Sequence, residues 1–253
     1  MGKKIQLKQL LLEQKICDSL ERANSLILSG SVLVNEQKIT KSGTLVPQNS
    51  VLRILNKIPQ RVSRGAYKLE AAITHFKISV KDKVCLDIGA STGGFTEILV
   101  EQLAAKVYAF DVGYGQLAQR LRNHPAVSVR DKFHIKKLTR ADLFESHDPQ
   151  ELYFVMDLSF ISLLAVYPTL IALKQQMPTT EFFILSLIKP QFECDTKDLD
   201  KGIVQDGRVH WRVLKKIASY VKQQSNTRLH GFCHSPIKGM HGNREFFIYW
   251  SLG

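Results

Sequence analysis

The 253-residue chain predicts an α/β fold: a mostly parallel sheet of βαβ units, preceded by a small α+β unit of two helices and a hairpin. Three observations carry this. From residue 62 onward, apolar runs alternate with longer amphipathic stretches, the pattern of strands joined by crossover helices. Before residue 60 the elements are shorter and more basic. Between them lies Ile58-Pro59-Gln60-Arg61, a linker by its proline. The boundaries read 1–58 for the small domain, 59–64 for the linker and 65–253 for the large domain.

In the small domain, Ile5, Leu7, Leu10, Leu11 and Leu12 predict a short amphipathic helix. Ser19 has the position of an N-cap, Arg22 is the third helical residue, and Gly30 is placed to end that helix after Leu28. The runs Val32–Val34 and Lys38–Thr40, joined through Asn35-Glu36, predict a hairpin, and Val51–Leu55 a further strand. Glu36 stands where glycine would most easily supply the turn's positive φ.

In the large domain the apolar runs are 84–88, 106–110, 152–156, 182–188 and 245–250. Ligands of such sheets sit at the carboxyl ends of the strands, where strand order reverses, so the residues just after each run are the candidates for chemistry. The first run continues into Asp87-Ile88-Gly89-Ala90-Ser91-Thr92-Gly93-Gly94-Phe95. A dinucleotide fingerprint needs glycine where Ser91 stands, and no Gly-Lys-Ser/Thr ending makes a P-loop. The arrangement instead resembles the first motif of S-adenosylmethionine-dependent methyltransferases. Asp111, 24 residues after Asp87, ends the second run and can accept from both hydroxyls of an adenosine ribose. The candidate cofactor residues are Asp87, Gly89 through Phe95, Asp111 and Val112.

Four charged residues stand at the ends of elements. Lys68 begins the helix before the first strand, Asp157 follows the third run, Lys189 the fourth, and Glu245 opens the last. An ionisable group beside a buried strand is costly unless paired, so two lysines among two acids form a coherent set. Taken singly, each reads better as an unrelated surface charge at a strand end.

From Leu10 to the C-terminus the chain resembles the TlyA family, which joins a ribosomal-protein-type RNA-binding domain to an FtsJ-like RNA ribose methyltransferase domain. The segments that carry the likeness are Val62–Gly65, Cys85–Phe95, Asp111–Leu117, Asp157–Leu163, Lys189–Glu193, Lys201–Val204 and Gly242–Phe246. The resemblance implies a Rossmann-like methyltransferase domain, S-adenosyl-L-methionine as cofactor, and cytidine ribose 2′-hydroxyls of small- or large-subunit rRNA as targets. It also implies that Lys68, Asp157, Lys189 and Glu245 are the catalytic set. A lysine in a desolvated site beside another cation can give up its proton, which makes Lys189 the candidate base or hydroxyl-orienting group. Lys68 would stabilise the developing alkoxide, and the two acids would hold the ammonium groups. Against the family pattern, Gln6-Leu7-Lys8 replaces Arg-Leu-Asp, and Asp131-Lys132-Phe133-His134 replaces a segment beside the adenine.

The net charge of +12 suggests a polyanionic partner. It divides into +5 on the first 60 residues (nine Lys/Arg against four Asp/Glu) and +7 on the rest. Candidate RNA contacts are Lys8, Arg22, Lys38 and Lys41 in the small domain and Arg61 and Arg64 in the linker. Arg120, Arg122 and Lys132 join them from residues 116–140, where seven basic residues face one acid. The partner is expected to be rRNA or ribosomal subunits. The longest nearly uncharged apolar stretch, Phe160–Leu173, has 14 residues and a proline, short of the ~20 of a spanning helix. With charged residues through the N-terminus and four scattered cysteines, the reading is a cytoplasmic protein with reduced thiols and no membrane partner. His230, Cys233, His234 and His241 match no zinc spacing, so no metal is expected. Trp211, Val213, Leu214, Ile217 and Tyr220 read as the core face of a helix. Alternatives left open are a membrane-active cytolysin, a non-catalytic RNA-binding assembly factor and a nicotinamide oxidoreductase.

Overall fold

Short apolar runs give short elements in the first unit. The computed structural model describes residues 4–17, 19–28, 30–55, 61–144, 147–239 and 242–253, and the chain forms two compact units, 1–60 and 61–253. In the first, β1 (Lys4–Gln6), α1 (Leu7–Glu13) and α2 (Leu20–Leu28) precede β2 (Val32–Val34), β3 (Gln37–Ile39), β4 (Leu45–Pro47) and β5 (Leu52–Ile54). Strands β3, β2 and β5 form one antiparallel sheet, and β1 pairs with β4. Ile5 therefore belongs to a strand, not to the first helix: Leu7, Leu10 and Leu11 fill the core while Ile5 pairs with Val46. Periodicity could not separate these, because one apolar residue two before a helix fits either pattern. As expected, the Ser19 hydroxyl accepts from the Arg22 N–H at 3.2 Å. Gly30, at φ 67°, closes the helix with its N–H on the Ile27 carbonyl. Glu36 does adopt a positive φ, 65°. Its carboxylate is held by the Arg53 guanidinium of β5.

The second unit runs α3 (Gly65–Phe76), β6 (Val84–Ile88), α4 (Gly94–Glu101), β7 (Lys106–Phe110), α5 (Gln119–Arg122), β8 (Val127–Arg130), β9 (Glu151–Met156), α6 (Tyr167–Gln176), β10 (Glu181–Ile188), α7 (Gly207–Gln223), β11 (Thr227–His234) and β12 (Phe246–Leu252). The seven strands lie in the order β11-β12-β10-β9-β6-β7-β8. The five from β10 to β8 are parallel, and β12 runs antiparallel to both neighbours. Strand β8 was not among the apolar runs: Ser128 and Arg130 break its pattern, and only Val127 is fully buried.

Both faces of the sheet are covered. Leu86 and Ile88 point into a core shared with Tyr167 and Leu170 of α6 and Val213 and Ile217 of α7. Cys85 points into the other, with Leu69 of α3 and Phe95 and Ile98 of α4. Burial on both faces is why these strands read as near-continuous apolar runs. Trp211 departs from its expected place: Val213 and Ile217 are buried, but Trp211 is 68% exposed. Its position relative to Val213 and Ile217, two and six residues away, puts it on the outer side of a 3.6-residue helix. Among the described residues, no helix is long and apolar enough to cross a membrane.

Candidate active site

The strand order reverses between β9 and β6, so the turns after these strands meet at the carboxyl edge of the sheet. Ile88 pairs with Met156, which places Gly89 beside Asp157. Gly89 has φ 86°, and a Cβ there would lie 2.7 Å from the Asp157 carbonyl oxygen. Only glycine allows this approach. On the other side of β9, Ile188 of β10 pairs with Phe246 of antiparallel β12. The end of one strand and the start of the other thus share one edge, and Lys189 and Glu245 come together there. Lys68 arrives from the first turn of α3.

The four side chains form an alternating chain of charge. Glu245 Oε2 lies 2.7 Å from Lys68 Nζ, Lys68 Nζ lies 3.9 Å from Asp157 Oδ2, and Asp157 Oδ1 lies 2.6 Å from Lys189 Nζ. Lys189 also donates to the Ser159 hydroxyl at 2.8 Å. The Asp157 and Glu245 contacts are ion pairs lying off the hydrogen-bond direction, so Asp157 Oδ1 and Glu245 Oε2 have no directed donor. With the Glu245 side chain 2% exposed and that of Lys68 10%, either charge alone would be strongly unfavourable there. Gly239 passes so close to Glu245 that a Cβ would fall 2.1 Å from Oε1.

These residues line a cleft of ≈ 470 Å³ that also includes Gly89 through Thr92, Gly94, Phe95 and Arg64. The other cofactor candidates stand around it. The Asp111 carboxylate accepts from the Ser91 N–H and the Gly113 N–H, both at 2.7 Å. It ties the loop after β6 to the loop after β7 and keeps further acceptor sites on each oxygen. Val112 is 69% exposed beside it. Gly93 turns the backbone at φ 101° into α4. Asp87 is fully buried and takes a 2.6 Å hydrogen bond from the Thr96 hydroxyl, while its Oδ1 has no partner. The glycine backbone, an orphaned carboxylate oxygen and an acid at the second strand end fit an adenosyl cofactor bearing a cationic amino acid moiety.

Burial pushes the Asp87 carboxyl up to about 7, helped by the negative charges of Asp157 and Asp111 and opposed by the Thr96 hydrogen bond. A carboxyl raised in the folded state favours folding most at acid pH, and this contribution is lost as pH rises through about 7. Asp87→Asn cannot ionise and can still accept from Thr96. The melting temperature of the ligand-free variant should therefore gain on wild type between pH 4 and 7 and hold that gain above. Parallel melting profiles would contradict this.

The RNA candidates are placed less uniformly. Lys8 lies on α1, Arg22 on α2, Lys38 on β3 and Lys41 just after it. Arg64 is exposed at the cleft. The Arg61 side chain is only 9% exposed and pairs with Glu70 and Glu101, so it anchors the unit's first residues. Arg120 pairs with buried Glu97, Arg122 with Asp131 at 2.8 Å, and Lys132 lies over the Tyr114 ring. Phe133 donates its N–H to the Asp111 carbonyl, which packs the divergent 131–134 segment against the second loop. His234 meets Phe246 on one face of the sheet while Cys233 packs into the other core. His241 lies outside the described residues.

The sequence reading missed Ser159, Phe160, Phe192 and Asn243 as site residues. Phe160 is 90% exposed at φ 64°, with Phe192 at 5.1 Å between ring centroids. The signal was Asp157-Leu158-Ser159-Phe160, a large aromatic in a turn beyond a strand end. Buried Asn243 accepts from the Val204 N–H and donates to the Gly202 carbonyl, both at 2.9 Å, fastening the 202–204 loop beside Glu245.

Comparison with known proteins identifies the family. Residues 61–252 match the model of the FtsJ-like methyltransferases. A 16S/23S rRNA (cytidine-2′-O)-methyltransferase, TlyA, of Mycobacterium tuberculosis is 36% identical over 98% of this chain and 90% of its own length. Hemolysin A of Brachyspira hyodysenteriae is 36% identical over 93% of this chain and 95% of its own. The solved structure of a candidate hemolysin from Streptococcus thermophilus, 31% identical, covers all of this chain and 90% of its own with a TM-score of 0.70. With its charged quartet, glycine-rich strand end and near-full-length likeness, the chain belongs to the TlyA family of FtsJ-like, S-adenosylmethionine-dependent methyltransferases.

Proposed function

We propose that the protein methylates cytidine ribose 2′-hydroxyls of rRNA at the cleft formed by Lys68, Asp157, Lys189 and Glu245. The observation that carries this is the alternating ion-pair chain, which brings two ammonium groups to one carboxylate at the strand-reversal edge. Gly89, Ala90, Ser91, Thr92, Gly93, Gly94, Phe95, Asp111 and Val112 would hold the cofactor, with Asp87 beneath. When bound, the cofactor supplies a methyl group on a cationic sulfur, already a strong electrophile. The chain's own residues then act on the weak nucleophile. Lys189, fixed by Asp157 and Ser159, orients the 2′-hydroxyl and, as the neutral amine left once its own proton has passed to water, takes up the hydroxyl proton while the methyl leaves sulfur for oxygen. Lys68, fixed by Glu245, stabilises negative charge as it grows on that oxygen. Phe160, exposed and packed at a tilt on Phe192, offers an aromatic face at the cleft, suited to a base withdrawn from its stack.

Arg64, Lys132, Arg120 and Arg122 would meet phosphates from the large unit, and Lys8, Arg22, Lys38 and Lys41 from the small one. Tritiated methyl transfer to ribosomal subunits from a strain lacking the gene, with mass spectrometry of the product, tests the reading. The expected product is a 2′-O-methylcytidine. Methyl on a base, or no transfer to either subunit, would overturn it.

A further inference from the structure

Helix α7 carries Arg208, Arg212, Lys215, Lys216 and Lys222 and no acid over its 17 residues. Its inner side is occupied by Val209, Val213, Ile217 and Val221, all buried. Positions 208, 211, 212, 215 and 222 recur at the three- and four-residue spacing that lines one helical face, here the outer one. The result is a stripe about 21 Å long, from the 1.5 Å rise over 14 steps, of four cations around one exposed indole. Nothing packs this tryptophan into the core, although its neighbours along the helix are well buried. An aromatic left in water among arginines and lysines is the composition of a nucleic-acid surface.

Two features tie the stripe to the cleft. The helix begins at Asp206, whose carboxylate caps the Arg208 N–H at 2.8 Å, and the preceding residues 202–204 are fastened by Asn243 beside Glu245. Gly202 itself lines the cleft. Asp206 and Asp198 hold the Arg208 and Arg212 guanidinium groups, yet the two side chains remain 92% and 58% exposed. Their outer N–H groups are thus available to a phosphate.

We propose that the outer face of α7 binds the sugar–phosphate backbone of the RNA substrate, with Trp211 stacking on an unpaired base outside the cleft. This rests on the rRNA reading above and extends the footprint beyond residues 116–140. The partner is RNA and not an acidic protein because the exposed indole adds to the cations a stacking contact that every base can make.

The test compares wild type, Trp211→Ala, Trp211→Phe and the double variant Arg208→Ala/Lys215→Ala in methyl transfer to ribosomal subunits at several salt concentrations. Trp211→Ala should raise KM for the subunit about tenfold and leave kcat and cofactor affinity unchanged. Trp211→Phe should restore most of the loss. The double variant should flatten the salt dependence of binding by between one and two units of log–log slope. The same shifts are expected with protein-free rRNA fragments. Shifts seen only with intact subunits would mean that the face docks on a ribosomal protein and would overturn the proposal. So would variants indistinguishable from an active wild type. Failure of the wild type itself to modify rRNA would instead strike the underlying assignment.

Discussion

Lys189→Ala should lower the rate of methyl transfer by about three orders of magnitude, within the 10²–10⁴ range of a positioned proton-transfer group. Cofactor affinity should stay within about threefold. Lys189 touches Asp157 and Ser159, and its removal leaves the Gly89–Phe95 loop and Asp111 in place, so the loss falls on kcat. It also leaves Asp157 with one cation, Lys68, at 3.9 Å, which makes Lys68→Ala in the same background much less than additive. Lys189→Arg keeps the charge but presents a planar, permanently protonated fork and should recover little. Single-turnover assays at saturating cofactor check these outcomes. Full methyl transfer by Lys189→Ala would remove Lys189 from the mechanism.

Asp111→Ala should weaken S-adenosylmethionine binding about 100-fold. The substitution deletes acceptors for two backbone donors, Ser91 N–H and Gly113 N–H, at 2.7 Å each. Hydrogen bonds to a charged group contribute about 1.5–3 kcal/mol each, and a factor of 100 corresponds to about 2.7 kcal/mol. The loops after β6 and β7 then lose the group that holds them together, while the ion pairs of the quartet do not involve Asp111. Asp111→Asn, which keeps one carbonyl oxygen, should fall between the two. Calorimetric titration at fixed pH measures this directly. An affinity within threefold of wild type would show that Asp111 serves neither loop nor ligand.

Much of the fold was legible because burial on both faces forces continuous apolar runs. The strands at 84–88, 106–110, 152–156 and 182–188 all appear within a residue of their expected bounds. Where burial is one-sided or an edge is reached, the signal faded: Val127–Arg130 carries an exposed arginine, and the pair β1 and β4 has three residues each. Trp211 was misplaced for a related reason. Residue type suggested core, but positions two apart lie on opposite sides of a helix, and Val213 with Ile217 held the inner side. Arg61 looked like a free cation in a linker, but folding brought Glu70 and Glu101 to it from 9 and 40 residues away.

The sequence by itself determined the two-part organisation, the glycine turn after the first long strand, the spaced acid at the second, and four charges each standing at the end of an element. These are local properties, set by periodicity and by the residues on either side. Only the tertiary structure decided that the four charges meet. Lys68 and Glu245 are 177 positions apart, and no local rule brings them within 2.7 Å. They converge because parallel strands deliver their carboxyl ends to one edge while antiparallel β12 delivers its amino end there. Once gathered with little water around them, each charge is tolerable only beside its opposite.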